Sequence, residues 1–120
     1  CVHRGSCSME VSDFLSDLSG KQIDLFGTCG MEDSPEYYKD IAGRVSAWIE
    51  SDNEYLGYFI CQGKMPQKVR MKYESMRTPE NTAQIDRCVR NFDLALTHPD
   101  SLDVEHAKVF VDHMLKKIEL

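Results

Sequence analysis

The sequence predicts an α/β fold: a doubly wound parallel sheet of which residues 1–120 carry the last strands, their flanking helices and a helix-rich C-terminal half. Three observations predict it. Residues 23–28 and 55–61 are short runs, mostly apolar or aromatic, bounded by glycine and polar turn residues, which is how strands read. A strongly amphipathic helical stretch lies between them, and strands alternating with helices are joined by right-handed crossovers into a parallel sheet. Two parallel strands are too few to stand alone, because such sheets need both faces covered and further neighbours. The chain therefore reads as the second half of a doubly wound sheet, with earlier strands expected before residue 1.

The elements follow in order. Ser8 can cap a helix carrying Val11, Phe14, Leu15 and Leu18 at spacings of three and four, with Gly20 ending it. The first strand follows, with Asp24 as its blemish, more tolerable near the start than the middle. After the polar loop Cys29-Gly30-Met31-Glu32-Asp33, the triplet Ser34-Pro35-Glu36 signals a capped helix start. Its stripe is Tyr38, Ile41, Ala42, Val45, Trp48 and Ile49, read as core, and Ser51-Asp52-Asn53 ends it. The second strand has Gly57 inside it and leaves through Gln62-Gly63-Lys64. Beyond Pro66 the pattern is helical throughout. A helix over 67–76 places Val69, Tyr73 and Met76 on one side, also read as core. Thr78-Pro79-Glu80 starts another, carrying Ile85, Cys88, Val89 and Phe92 toward Leu96. His98-Pro99 breaks the pattern, and Asp100 or Ser101 caps a last helix bearing Val104, Ala107, Phe110, Val111, Met114, Leu115 and Ile118.

Charge and composition narrow the function classes. One domain over 1–120 is expected from the length. A formal net charge of −6 argues against non-specific nucleic-acid binding and against docking on an anionic membrane. No run of about 18 apolar residues is present. The opening Cys1-Val2-His3-Arg4-Gly5 has no apolar segment behind it and no initiator Met, so the chain reads as a fragment or processed form rather than a secreted precursor. Five cysteines at irregular spacings, with no C-x-x-C, point to reduced thiols in a cytoplasmic protein rather than to zinc or a disulfide scaffold. His98, His106 and His113 do not make a metal site by spacing.

Several segments, in this order, resemble the C-terminal two thirds of a flavodoxin-like protein. They are Val2-His3-Arg4-Gly5, Gly20-Lys21, Leu25-Phe26-Gly27-Thr28-Cys29-Gly30 and Gly57-Tyr58-Phe59-Ile60-Cys61-Gln62-Gly63-Lys64. Tyr73-Glu74-Ser75-Met76, the break Thr97-His98-Pro99-Asp100 and the stretch from Asp103 to Val111 continue the resemblance to the end of the chain. The resemblance implies a five-stranded parallel sheet of order 2-1-3-4-5, with FMN at the carboxyl ends of the strands beside the topological switch point. The two strands seen here would be the fourth and fifth. The flavin ring would rest between the loops holding Val2, His3, Arg4 and Gly5 and holding Gly27, Thr28, Cys29 and Gly30. Two departures stand out. Cys1 occupies a position where the family usually has an aromatic residue. The Ser/Thr-x-Thr-Gly-x-Thr phosphate loop, which cradles phosphate at a helix N-terminus, does not occur in these residues.

The resemblance thus implies an FMN-binding electron carrier that needs no acid–base pair, serving a redox protein or reductase partner. If the chain were an enzyme, it would be an FMN-dependent oxidoreductase. Two other readings compete. One is a flavin-free α/β fragment acting as a dimerisation or interaction module, pairing as a homodimer through its open sheet edge. The other is a small NAD(P)H-dependent flavin reductase, which ranks lower because no dinucleotide fingerprint is present. Each site residue also has a plain reading. Residues 27–30 can simply turn the chain, His3-Arg4-Gly5 can be a solvated loop, and Cys61-Gln62-Gly63-Lys64 is favoured as a structural turn. Nothing in the sequence favours Cys29 or Cys61 as a nucleophile. Lys116-Lys117 complements a helix C-terminus rather than forming a basic patch.

Overall fold

In the computed structural model, residues 5–31 and 34–118 are described. The element order is α1 (Met9–Asp17), β1 (Gln22–Cys29), α2 (Pro35–Ser46), β2 (Glu54–Gln62), α3 (Gln67–Ser75), α4 (Thr82–Ala95) and α5 (Ser101–Ile118). The expected alternation is present, and β1 and β2 pair in parallel. Among the described residues the sheet has these two strands.

Strand alternation assigns each side chain to one face. Phe26 is opposite Phe59 and Thr28 is opposite Cys61 on the face covered by α5; Leu25 is opposite Tyr58 and Cys29 opposite Gln62 on the face covered by α2. The pairing slips once, between Ile23 and Asp24, so that Asp24 meets Gly57. Pairing continues past both ends: Glu54 N–H donates to Lys21 O at 2.8 Å, and Gly63 N–H to Cys29 O at 2.9 Å. On the α2 face Cys29, Tyr38 and Ile41 form a buried cluster, with Tyr37, Val45, Tyr58 and Ile60 packed around it. On the α5 face Phe110 stands edge-on to Phe26, centroids 5.1 Å apart, and tilted to Phe59 at 6.0 Å.

The helix ends explain where sequence periodicity misleads. Ser8 caps α1 by accepting from Val11 N–H, as expected, but the helix stops at Asp17. Its cap is Leu18 in extended conformation, and Gly20, at φ +65°, makes the later turn into β1. Ser34 caps α2 through Tyr37 N–H, with Pro35 leading. The helix ends at Ser46 instead of continuing to Ile49. Trp48 N–H then bonds Val45 O and Ile49 N–H bonds Ser46 O, both i to i−3, and this tighter winding carries Trp48 off the apolar stripe. Trp48 is 49 % exposed, so it is not a core residue. Met76 is likewise 48 % exposed, because α3 ends at Ser75 and Met76 belongs to the turn beyond it.

The start of α4 is three residues later than Thr78-Pro79-Glu80 suggests. Asn81 closes a turn there, its Oδ1 accepting from Thr78 N–H at 2.7 Å and its Nδ2 donating to Met76 O at 2.8 Å, and the helix begins at Thr82. Ile85, Phe92 and Ala95 of α4 are buried. Arg77 bridges Glu74 on α3 and Asp86 on α4, and Arg70 reaches Asp93, so the two helices form a hairpin. Asp100 and Asp103 cap α5 reciprocally, each carboxylate accepting the other's backbone N–H at 2.9 Å. No helix of the described residues is long and apolar enough to cross a membrane.

Candidate functional site

The carboxyl ends of both strands converge, and their exits interlock. A Cβ on Gly63 would stand 2.7 Å from Thr28 Cβ, and a Cβ on Gly30 would stand 2.5 Å from Met65 Cγ. Each exit therefore has a glycine where the other exit inserts a side chain. At Gly63 a side chain would press on Thr28 Cβ, which is fixed to the backbone, whereas at Gly30 it would have to displace the flexible Met65 side chain. Above them, three polar groups close a ring. Asn91 Nδ2 donates to Gly30 O at 2.7 Å, Gln62 Nε2 to the same oxygen at 3.3 Å, and Gln62 Nε2 to Asn91 Oδ1 at 3.2 Å.

The structure separates the site residues expected in the loop after β1. Thr28 and Gly27 line a groove of about 340 Å³ on the α5 face, with Phe26, Phe59, Cys61 and Asp103. Cys29 points the other way, into the α2 core, 4 % exposed. The open side of Gly30 is taken by Met65, so close approach at this glycine serves the chain's own packing. Gly5, at φ +78°, comes to the same end of the molecule: its carbonyl accepts from Arg44 at 3.0 Å, and a Cβ there would lie 3.8 Å from the Tyr37 hydroxyl. Tyr37 also packs against the buried cluster that holds Cys29. Gly5 and Cys29, from two different loops, thus meet at Tyr37, whose importance the sequence did not signal beyond its place in the first turn of α2. Ser6 makes a single β-bridge, and Ser6 and Cys7 line a smaller hollow of about 110 Å³ with Leu25 and Gly27. Val2, His3 and Arg4 lie outside the described residues.

The electrostatics of these groups argue against side-chain nucleophiles. Burial pushes the Cys61 thiol up, and the nearby carboxylates of Asp103 and Asp100 push it further, so the thiolate is disfavoured. Burial also raises the Tyr37 hydroxyl, with the Cys29 thiol adding to it and Arg44 opposing. Beside the groove, His98 Nδ1 and Asp103 Oδ2 are 2.6 Å apart, and Asp100 completes a trio whose ligand atoms lie within 4.8 Å of one another. Burial alone would raise Asp103, but the hydrogen bonds from His98 and from Asp100 N–H prevail and hold its carboxyl below the usual range. Sequence spacing gave His98, His106 and His113 no common site; folding groups His98 with the two aspartates, and the α5 capping interactions account for that grouping.

Comparison with known proteins bears on the whole chain. A family model described as "Flavodoxin domain" matches residues 1–112. A protein named flavodoxin-like domain-containing protein BilS from Clostridioides difficile (strain CD3) is 32 % identical over 121 residues, covering 99 % of this chain and 68 % of that protein. A protein of the same name from Clostridium symbiosum (strain WAL-14163) is 35 % identical over 91 residues, covering 74 % of this chain and 47 % of that protein.

Proposed function

The chain belongs to the flavodoxin-domain family, and on that premise we propose that it supplies one wall of an FMN site in an electron-transfer protein of the flavodoxin type. One observation carries the reading: Gly5 approaches Tyr37, which packs against the cluster holding Cys29, so the segment before α1 and the β1 exit come together at the carboxyl end of β1. That end of a doubly wound sheet is where such folds bind their ligands.

The residues present fit a wall and not a whole site. The hollow beside Gly27, Ser6 and Cys7 holds about 110 Å³, below the roughly 300–1,000 Å³ of ordinary ligand pockets. The Ser/Thr-x-Thr-Gly-x-Thr sequence that would cradle the phosphate is no part of residues 1–120. Gly27, without a side chain, lines both the hollow and the groove, and Thr28 adds a hydroxyl on the groove side. When bound, FMN supplies the one- or two-electron chemistry. This chain's residues bind and orient the ring; Arg44 is held on the Gly5 carbonyl. The acidic balance of the chain favours a basic redox partner.

The test is an FMN titration of the 120-residue chain and of a version extended by N-terminal strands with a phosphate-binding loop, followed by quenching of flavin fluorescence. Saturable quenching by either version supports the reading. Absence of quenching with both overturns it and turns attention to the edge of β1 away from β2 as an interaction surface.

A further inference from the structure

We infer that Asn91, on α4, is a positioning residue for the loop that leaves β1, and through that loop for the ring wall; this rests on the reading given under Proposed function. The observation is the way the peptide unit between Gly30 and Met31 is held. Its carbonyl oxygen, that of Gly30, accepts from Asn91 at 2.7 Å and from Gln62 at 3.3 Å. Its N–H, that of Met31, donates to Cys29 Sγ at 3.4 Å. Both ends of one peptide are therefore fixed, and the carbonyl has both lone pairs engaged.

Nothing in α4 by itself calls for an asparagine at this position. Asparagine is a weaker helix former than the leucine or alanine a packing role would favour. The neighbouring core positions of α4 are already filled by Phe92 and Ala95, 1 % and 0 % exposed. Asn91 also accepts from Gln62, which is 9 % exposed, so without it one of the two N–H groups of the Gln62 amide would lose its partner and only the bond to Gly30 O would remain. The α3–α4 hairpin thus reaches the exits of both strands through one amide. It anchors the segment next to Thr28 and Cys29, the residues placed against the proposed flavin wall. Met65 packs against the same peptide where a Gly30 side chain would be.

The experiment compares Asn91→Ala and Asn91→Asp with the wild type, both in the natural protein. Aspartate keeps the size and the acceptor for Gln62 while removing the donor to Gly30. The first readout is the alkylation rate of individual cysteines by iodoacetamide, resolved by mass spectrometry. Cys29 is buried behind the loop, and Cys88, partly buried on α4, reports on that helix. The second readout is FMN affinity by fluorescence quenching. Loss of the clamp is expected to raise Cys29 labelling about tenfold with Cys88 unchanged, and to weaken FMN binding about tenfold. Cys29 and Cys88 rising together would mark Asn91 as part of α4 stability only and overturn the inference, as would no change at either. Unchanged FMN affinity in a variant whose Cys29 labelling alone has risen overturns the clamp's part in the site. If the wild type binds no FMN while Cys29 labelling alone rises in the variants, the flavin reading falls and the loop clamp stands.

Discussion

The two faces of the strand pair are built from the same residues taken alternately, yet they end differently. On the α2 face, Cys29, Tyr38 and Ile41 are buried, Ile41 to 1 % exposure, and only a hollow of about 110 Å³ remains beside Ser6, Cys7 and Gly27. On the α5 face, three phenylalanines meet, but Phe26 stays 54 % exposed and a groove of about 340 Å³ remains beside Thr28 and Cys61. The difference comes from the covering helices. α2 presents small and branched side chains, Ile41, Ala42 and Val45, that nest between strand residues. α5 contributes one large ring, Phe110, over a pair of rings that cannot close around it. The tighter face is the greater source of stability, whereas the wider groove leaves the α5 face more loosely packed.

Mutations should separate the faces by size of effect. Ile41→Ala is expected to destabilise by about 3 kcal/mol in chemical denaturation, since a fully buried branched side chain leaves a cavity. Phe110→Ala should cost less, about 2 kcal/mol despite its larger side chain, because the cluster it leaves is already part-open. A cost equal to or above that of Ile41→Ala would erase the distinction between the faces.

Smaller effects sharpen the picture at the strand exits and along β1. Gly63→Ala is expected to cost about 2 kcal/mol and Gly30→Ala about 1, measured by thermal unfolding. The new methyl at Gly63 meets Thr28 Cβ, which is fixed to the backbone, whereas at Gly30 it meets the flexible Met65 side chain, which can swing away. The reverse order would show that Met65 is the rigid partner.

Asp24 on the α5 face supplies a test with a defined sign. Its Oδ1 is buried without a hydrogen-bond partner among the described residues, and burial pushes its carboxyl up more than Lys117 draws it down. A raised acid favours the protonated form when folded. Stability is therefore lost as pH rises from the ordinary carboxylate value of about 4 through the raised one, and the loss persists above it. Asp24→Asn should stabilise by about 0.5–1 kcal/mol at pH 7 and by nothing near pH 3, read from paired melts at the two pH values.

Much of this was legible before folding. The two strands, the Ser34-Pro35 helix start and the capped last helix follow from local chemistry, because each depends on residues a few positions apart. The limits of helices were less legible: Trp48 and Met76 lie where winding tightens or stops, and periodicity carries no record of that. The candidate site was legible as segments but not as a place. The motifs around Gly30 and Gly63 could be read as a ligand loop and a turn; that each glycine makes room for the other exit's side chain depends on the register of β1 against β2.

The sequence by itself determined the class of fold, the direction of the strands and which side chains are apolar, because spacing and capping act over single turns. Only the tertiary structure decided that Cys29 faces inward while Thr28 faces the groove, that Tyr37 joins Gly5 to Cys29, and that Asn91 reaches Gly30 from 61 residues away. Those contacts join residues far apart in the chain, and strand register and helix packing, not local preference, bring such residues together.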